Sequence, residues 1–220
     1  MLPPAMKKVL TVVIPTRNRA SLAINAARSV LASEQSGAVQ VIISDNSTDQ
    51  NESNTLAQFA ENLQGDTLTL VRPPRPLSMT EHWEWAVCHA EKITDSSHFT
   101  ILTDRMLFRP GAIQELLGII AKYPGSVISY TYDRIHDDRR PVLFQPLPRS
   151  GHLLKLDSSH LLRMAANMRF ASCLPRMLNS IAPRALLNSL RDRFETVFDS
   201  VSPDYCYCFR ALAQEASIIY

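Results

Sequence analysis

The chain has 220 residues, 45% hydrophobic and 20% charged, a balance that excludes a disordered or fibrous protein and leaves room for one sizeable core. Its 23 basic and 21 acidic residues leave a formal charge of +2, so no global field points to a nucleic-acid partner and none is expected. Four cysteines without zinc spacing exclude a disulfide scaffold and imply a reducing compartment, and no apolar run reaches the ~20 residues that span a bilayer.

The Met1-Leu-Pro-Pro start lacks the charged and apolar regions of a signal peptide, which places the protein in the cytoplasm with at most peripheral membrane contact. Lys8-Val-Leu-Thr-Val-Val-Ile14 is rich in β-branched residues and stops at Pro15, the signature of a strand covered on both faces. From Asn18, a predicted N-cap, the positions Leu22, Ala23, Ala26, Ala27, Val30 and Leu31 recur at helical spacing. Residues 39–43 form the next predicted strand, which ends on the cap and turn formers Ser44-Asp-Asn-Ser-Thr-Asp49. A short helix to about Asn62 and a strand over 67–71 follow, and Arg72-Pro-Pro-Arg-Pro-Leu77 then breaks the pattern.

Ser78-Met-Thr-Glu81 matches a capping box, with Trp83, Ala86, Val87 and Ala90 as the buried stripe of its helix. Trp85 falls on another face, and His82 and His89 lack a second histidine at ligand spacing, which makes packing or surface their expected role. Residues 98–103 read as a buried strand ending on Asp104, followed at once by a helix over 110–122 started by Pro110 and then a strand over 126–131. Strands alternating with helices of this length imply an α/β domain, a mostly parallel sheet with helices on both faces.

Beyond residue 132 the alternation fails. A proline-dotted stretch holds arginines over 134–149 and the acidic cluster His136-Asp137-Asp138, both expected to be solvated. Helical patterns return near 158–169 and 183–193, and Ser202-Pro203-Asp204 reads as an N-cap, a first-position proline and a first-turn carboxylate. The chain closes on Ala-Ser-Ile-Ile-Tyr220, strand-like with nothing polar after it, from which a truncated end is expected. The division is thus a single domain over 1–220, with one half at about 8–131 and a mixed second half at about 132–220.

Three strand ends collect polar groups: Pro15-Thr16-Arg17-Asn18-Arg19, Asp45-Asn46 and Thr103-Asp104. In a parallel sheet they share one edge, the edge where open α/β sheets bind ligands. Two carboxylates beside Arg19 and helix N-termini suit a nucleotide: carboxylates accept from ribose hydroxyls or base N–H groups, and arginine and helix amides face phosphate. The sequence has neither Gly-x-Gly-x-x-Gly after the first strand nor Gly-Lys-Ser/Thr, which argues against a dinucleotide cofactor and a P-loop. A hard divalent cation at Asp104 would want a second carboxylate two residues on, and Met106 stands there.

Leu10-Thr-Val-Val-Ile-Pro-Thr-Arg-Asn-Arg19, then Val41-Ile-Ile-Ser-Asp-Asn-Ser-Thr-Asp49, then Leu77-Ser-Met-Thr-Glu-His-Trp-Glu-Trp-Ala86 resemble family 2 glycosyltransferases of the GT-A fold. The resemblance covers roughly residues 8–125, with an echo at 202–212. It implies transfer of a sugar from a nucleoside-diphosphate donor, a UDP-sugar first, to an acceptor hydroxyl with inversion at the anomeric carbon, in polysaccharide assembly. It also implies that residues 8–131 hold the donor and 132–220 the acceptor. Pro15, Thr16 and Arg19 would line the nucleotide pocket, Asp45 would bond the base, and Asp104 would stand at the first aspartate of the Asp-x-Asp motif that holds manganese or magnesium. With Met106 at the second, Arg105 or another basic residue would take over the metal's charge.

In-line attack by an acceptor oxygen needs a general base, and by the resemblance Asp204 takes that role in a Ser-Pro-Asp context, with Glu195 and Asp199 as fallbacks. A non-catalytic nucleotide-sugar binder or scaffold is the rival reading, favoured by the half-missing metal motif. A nucleotidyltransferase is disfavoured by the absent glycine-rich phosphate loop.

Overall fold

The computed structural model describes residues 8–33, 37–63, 67–136, 140–147 and 151–220. The start of the chain, Asp137 and Asp138 of the acidic cluster, and Arg139 and Arg149 of the arginine-bearing stretch lie outside these residues.

All seven residues of β1 (Leu10–Thr16) are buried, because a β-branched run without a polar face must be covered on both sides. Then come α1 (Ala20–Leu31), β2 (Val39–Asp45), α2 (Gln50–Glu61), β3 (Leu68–Val71), α3 (Met79–Ile93), β4 (His98–Ile101), α4 (Ala112–Lys122) and β5 (Ile128–Ser129). The second half supplies a separate hairpin of β6 (Arg134–His136) and β7 (Leu143–Gln145), then β8 (Lys155–Asp157), α5 (Ser158–Ala166), a 3-10 turn at Met177–Asn179, β9 (Ser180–Pro183), α6 (Arg184–Phe194), α7 (Pro203–Gln214) and β10 (Ser217–Ile219).

The eight-stranded sheet has the order β3-β2-β1-β4-β9-β5-β10-β8. β3, β2, β1 and β4 are parallel, β9 runs antiparallel between β4 and β5, and β10 is parallel to β5 and antiparallel to β8. Alternate residues of each central strand enter different cores. Val12, Ile14, Val41 and Ile43 join α1, Leu56 and Ile113 on one face. Val13, Ile42, Phe99 and Ile101 meet α3, α6 and α7 on the other, where Trp83 packs edge-on against Phe198 at 5.8 Å.

The capping box at Ser78 and Glu81 forms as expected, and Pro203 opens α7. Three sequence expectations are corrected. Asn18 is not a helix cap: Arg19 takes the N-cap position, and Asn18 adopts a left-handed φ of 55° because its side chain is used between loops. Pro110 does not start α4. The helix begins at Ala112 behind Gly111, whose φ of 83° suits glycine and ends the loop leaving β4. The strand predicted over 126–131 is paired only at Ile128–Ser129.

A half-buried carboxylate braces the chain leading to α7. Glu84 accepts from Val197 N at 2.8 Å, Phe198 N at 3.0 Å and Arg191 Nε at 2.9 Å. Glu84→Ala leaves two amides and a guanidinium without this acceptor and is expected to destabilise the fold by about 3 kcal/mol in urea unfolding. A loss below about 1 kcal/mol, the range of exposed ion pairs, would show that the brace contributes little.

Candidate active site

The carboxyl ends of β1, β2 and β4 point to one edge, and the register aligns their polar residues. β1 and β4 pair through Val13↔Ile101, so three residues further on Thr16 meets Asp104. Asp104 is 3% exposed, and its Oδ2 accepts from Thr16 Oγ1 at 2.9 Å and lies 3.1 Å from Arg19 Nε. Burial raises the Asp104 pKa; the hydroxyl of Thr16 and the guanidinium charges of Arg19 and Arg105 hold back part of that rise.

Thr16 is also in register with Asp45, and Pro15 is buried opposite Ser44. Asp45 Oδ1 accepts from Ser47 N at 2.8 Å, closing an Asx turn, while Arg72 Nη1 lies 3.8 Å from Oδ2. Asn46 clamps Leu77 in both directions at 2.9 Å, which fixes the proline-rich segment over this edge. Asn18 binds the two loops together: its amide donates to Ser47 Oγ, and its Oδ1 accepts from the amides of Thr48 and Asp49. Glu52 Oε2 accepts from Ala20 N, so the first amide of α1, expected to face phosphate, is already satisfied within the chain.

His82 is buried behind this loop, 2.8 Å from Ser44 Oγ through Nε2. Its role is packing, as the sequence implies. Desolvation pushes its pKa from 6.5 down to about 4 against the opposing pull of Asp45. His89 stacks on Trp85 at 4.8 Å.

Arg105 is exposed beside Asp104, whereas Met106 turns inward and packs on the core that holds Ile113. A divalent cation does not fit this arrangement as a protein-held group. The inward Oδ2 of Asp104 is committed to Thr16 and Arg19, position 106 presents a soft thioether to an apolar core, and no cluster of three potential ligands occurs among the described residues.

Asp204 lies half-buried in the first turn of α7. The segment before it is held to the start of α3 by Thr80 Oγ1 donating to Ser200 O at 2.7 Å, and the Asp204 carboxylate lies within electrostatic reach of Arg176. The fallbacks serve elsewhere: Glu195 is the left-handed C-cap of α6, and Asp199 lies 3.5 Å from Arg210. Sequence reasoning missed Arg176, which precedes the 3-10 turn, donates from Nη2 to the Tyr132 hydroxyl at 2.5 Å and lies over the rings of Tyr132 and Tyr205. Burial would raise the Tyr132 pKa, but Arg176 and Arg134 turn the net shift downward.

No protein-family model matches this chain, and no curated protein matches it in sequence. Solved structures do. The complex of S. aureus TarS 1-349 with UDP-GlcNAc superposes with a TM-score of 0.67 at 15% identity over 97% of this chain and 55% of that one. The mannosyltransferase PcManGT of Pyrobaculum calidifontis, solved with GDP-Man and Mn2+, gives 0.58 at 17% identity over 91% and 51%. The chain therefore spans about half the length of these structures. The likeness shows the fold: a GT-A-like glycosyltransferase fold.

Because neutral His82 binds fewer protons folded than unfolded, its contribution is complete above pH 6.5 and is lost as the pH falls towards about 4. The loss approaches about 3 kcal/mol at the lower end of that window. Urea unfolding between pH 7.5 and 4.5 should show a shallower decline for His82→Gln than for wild type. Some decline remains through His98, whose pKa burial also lowers. An unchanged slope would mean that His82 titrates freely.

Proposed function

We propose that the chain is a glycosyltransferase that binds a nucleoside-diphosphate sugar at the edge formed by Pro15, Thr16, Arg19, Asp45, Asp104 and Arg105. Residues 8–131 hold the donor and 132–220 form the acceptor side. The observation that carries this reading is the convergence of Thr16, Arg19 and Asp104 in one bonded cluster, in register with Asp45, on the ligand-binding edge of a GT-A-like sheet. TarS has been solved with UDP-GlcNAc and PcManGT with GDP-Man, which supports the donor class, a UDP-sugar being the first candidate.

The acceptor hydroxyl attacks the anomeric carbon from the face opposite the diphosphate, which inverts the configuration. Asp204 removes the acceptor's proton at the positive end of α7. The diphosphate leaves with growing negative charge, which guanidinium groups on this edge stabilise. Assembly of a surface polysaccharide in the cytoplasm, with at most peripheral membrane contact, is the setting that we assign. Among the described residues no helix is long and apolar enough to cross a membrane.

The inward turn of Met106 favours one rival, a binder that holds the donor without transferring it. Uridine diphosphate is expected to raise the melting temperature, and Asp45→Ala to abolish the shift; no shift with any nucleoside diphosphate would remove the donor site. Asp204→Asn should lower transfer at least about a hundredfold, the scale of a lost general base, with donor affinity near wild type. Unchanged turnover excludes Asp204 as the base. Donor binding without transfer or slow donor hydrolysis identifies the binder.

A further inference from the structure

Arg176 is a half-buried cation that no carboxylate meets at ion-pair distance among the described residues; Asp204 acts on it from further off. Neither it nor Arg184, also half-buried, joins an ion pair among the described residues. Arg184 has a structural task, since it donates to the carbonyls of Glu91, Thr94 and Ser96 around the end of α3. Arg176 donates from Nε to Asn179 Oδ1 at 3.3 Å and from Nη2 to Tyr132, and Nη1 has no hydrogen-bond partner among the described residues. The tyrosine rings offset part of the cost of burying the charge, and they hold the guanidinium plane in one orientation.

Its position matters as much as its charge. β9 lies antiparallel beside β4, with His98↔Pro183 and Phe99↔Ala182 in register and Thr100 Oγ1 donating to Ser180 O at 2.8 Å. The turn before β9 therefore runs beside the end of β4, where Asp104 stands. From the other side, Tyr132 arrives just beyond β5, and Tyr205 is next to Asp204. Arg176 thus stands between the donor edge and the general base. Two of the other guanidiniums on the edge are more committed, Arg19 facing Asp104 and Arg72 facing Asp45 and donating to Ser47 O, while Arg105 is exposed to solvent.

We propose that Arg176 binds the distal phosphate of the nucleoside diphosphate and supplies the positive charge on which the leaving group departs. The inference rests on the nucleotide-sugar reading given above. As the acceptor oxygen forms its bond to the anomeric carbon, the bond from that carbon to the distal phosphate oxygen breaks. Its electron pair stays on the phosphate, and the acceptor proton passes to Asp204. A planar guanidinium with a free Nη1 suits this oxygen-rich anion better than a point charge does.

The test is calorimetric titration in EDTA with UDP and UMP, and with GDP and GMP, on wild type, Arg176→Gln, Arg176→Lys and Tyr132→Phe. Arg176→Gln should weaken the bound diphosphate roughly ten- to a hundredfold and leave the matching monophosphate within about twofold. Lysine should restore part of the loss. Tyr132→Phe keeps the ring and frees the guanidinium, so it should show a smaller loss in the same direction; it carries the test if Arg176→Gln does not fold. Equal losses for di- and monophosphate, or no loss for the diphosphate, would overturn the proposal. Wild type that binds neither diphosphate removes the nucleotide-sugar reading itself, and a loss confined to the acceptor KM in a transfer assay would reassign Arg176 to the acceptor.

Discussion

A carboxylate almost sealed from water at the end of β4 is the constraint around which this edge of the sheet is built. Burying Asp104 as an anion would cost several kcal/mol without partners, and its partners come from a strand and a loop 85 to 88 residues earlier in the chain. The parallel register of β1 and β4 delivers the Thr16 hydroxyl, and the turn after β1 swings Arg19 over the same oxygen. Satisfying one charge thereby fixes the first loop, the start of α1 and the mouth of the proposed donor site.

The neighbouring loops are held by the same economy of polar groups. Asn18, Asn46 and Ser47 use side-chain atoms on backbone groups of adjoining loops and Asp45 closes its own loop, so little of this edge would be left to be ordered by a ligand. Such preorganisation is what an ionic transition state requires, since dipoles already in place cost nothing to reorient. The cationic side of the edge is assembled from both halves of the chain. Arg19, Arg72 and Arg105 come from the first, and Arg176 comes from the second.

The fold was legible where the hydrophobic period was long and unbroken. Residues 8–14 declare a doubly covered strand and 39–43 the next one, although both strands run two residues further, to Thr16 and Asp45, and Ser78 with Glu81 declares a helix start through local chemistry alone. The ligand edge followed, because polar residues at the ends of parallel strands must share a side. Asn18 was misread because its side chain answers to a loop about 30 residues away, which local cap rules do not see. β9 was hidden: Ser180-Ile-Ala-Pro183 is four residues with polar or proline ends, and its strand character exists only because β4 and β5 flank it. Arg176 was hidden for a related reason, since its two tyrosines lie 44 residues before it and 29 after it.

The inserted strand also bears on how the chain reaches its native state. β4 and β5 are joined by a single helix, yet they are never direct neighbours; the ladder between them closes only when β9, some 80 residues beyond β4, slides in. During synthesis the outer edge of β4 therefore stays unpaired for as long as those residues are missing, an exposed template for misdirected pairing. Long-range closure of this kind slows folding, because the entropy of a large loop is lost before the contacts that reward it form. Residues 8–131, the proposed donor half, are thus an unfinished sheet in folding, completed by the segment that follows Arg176.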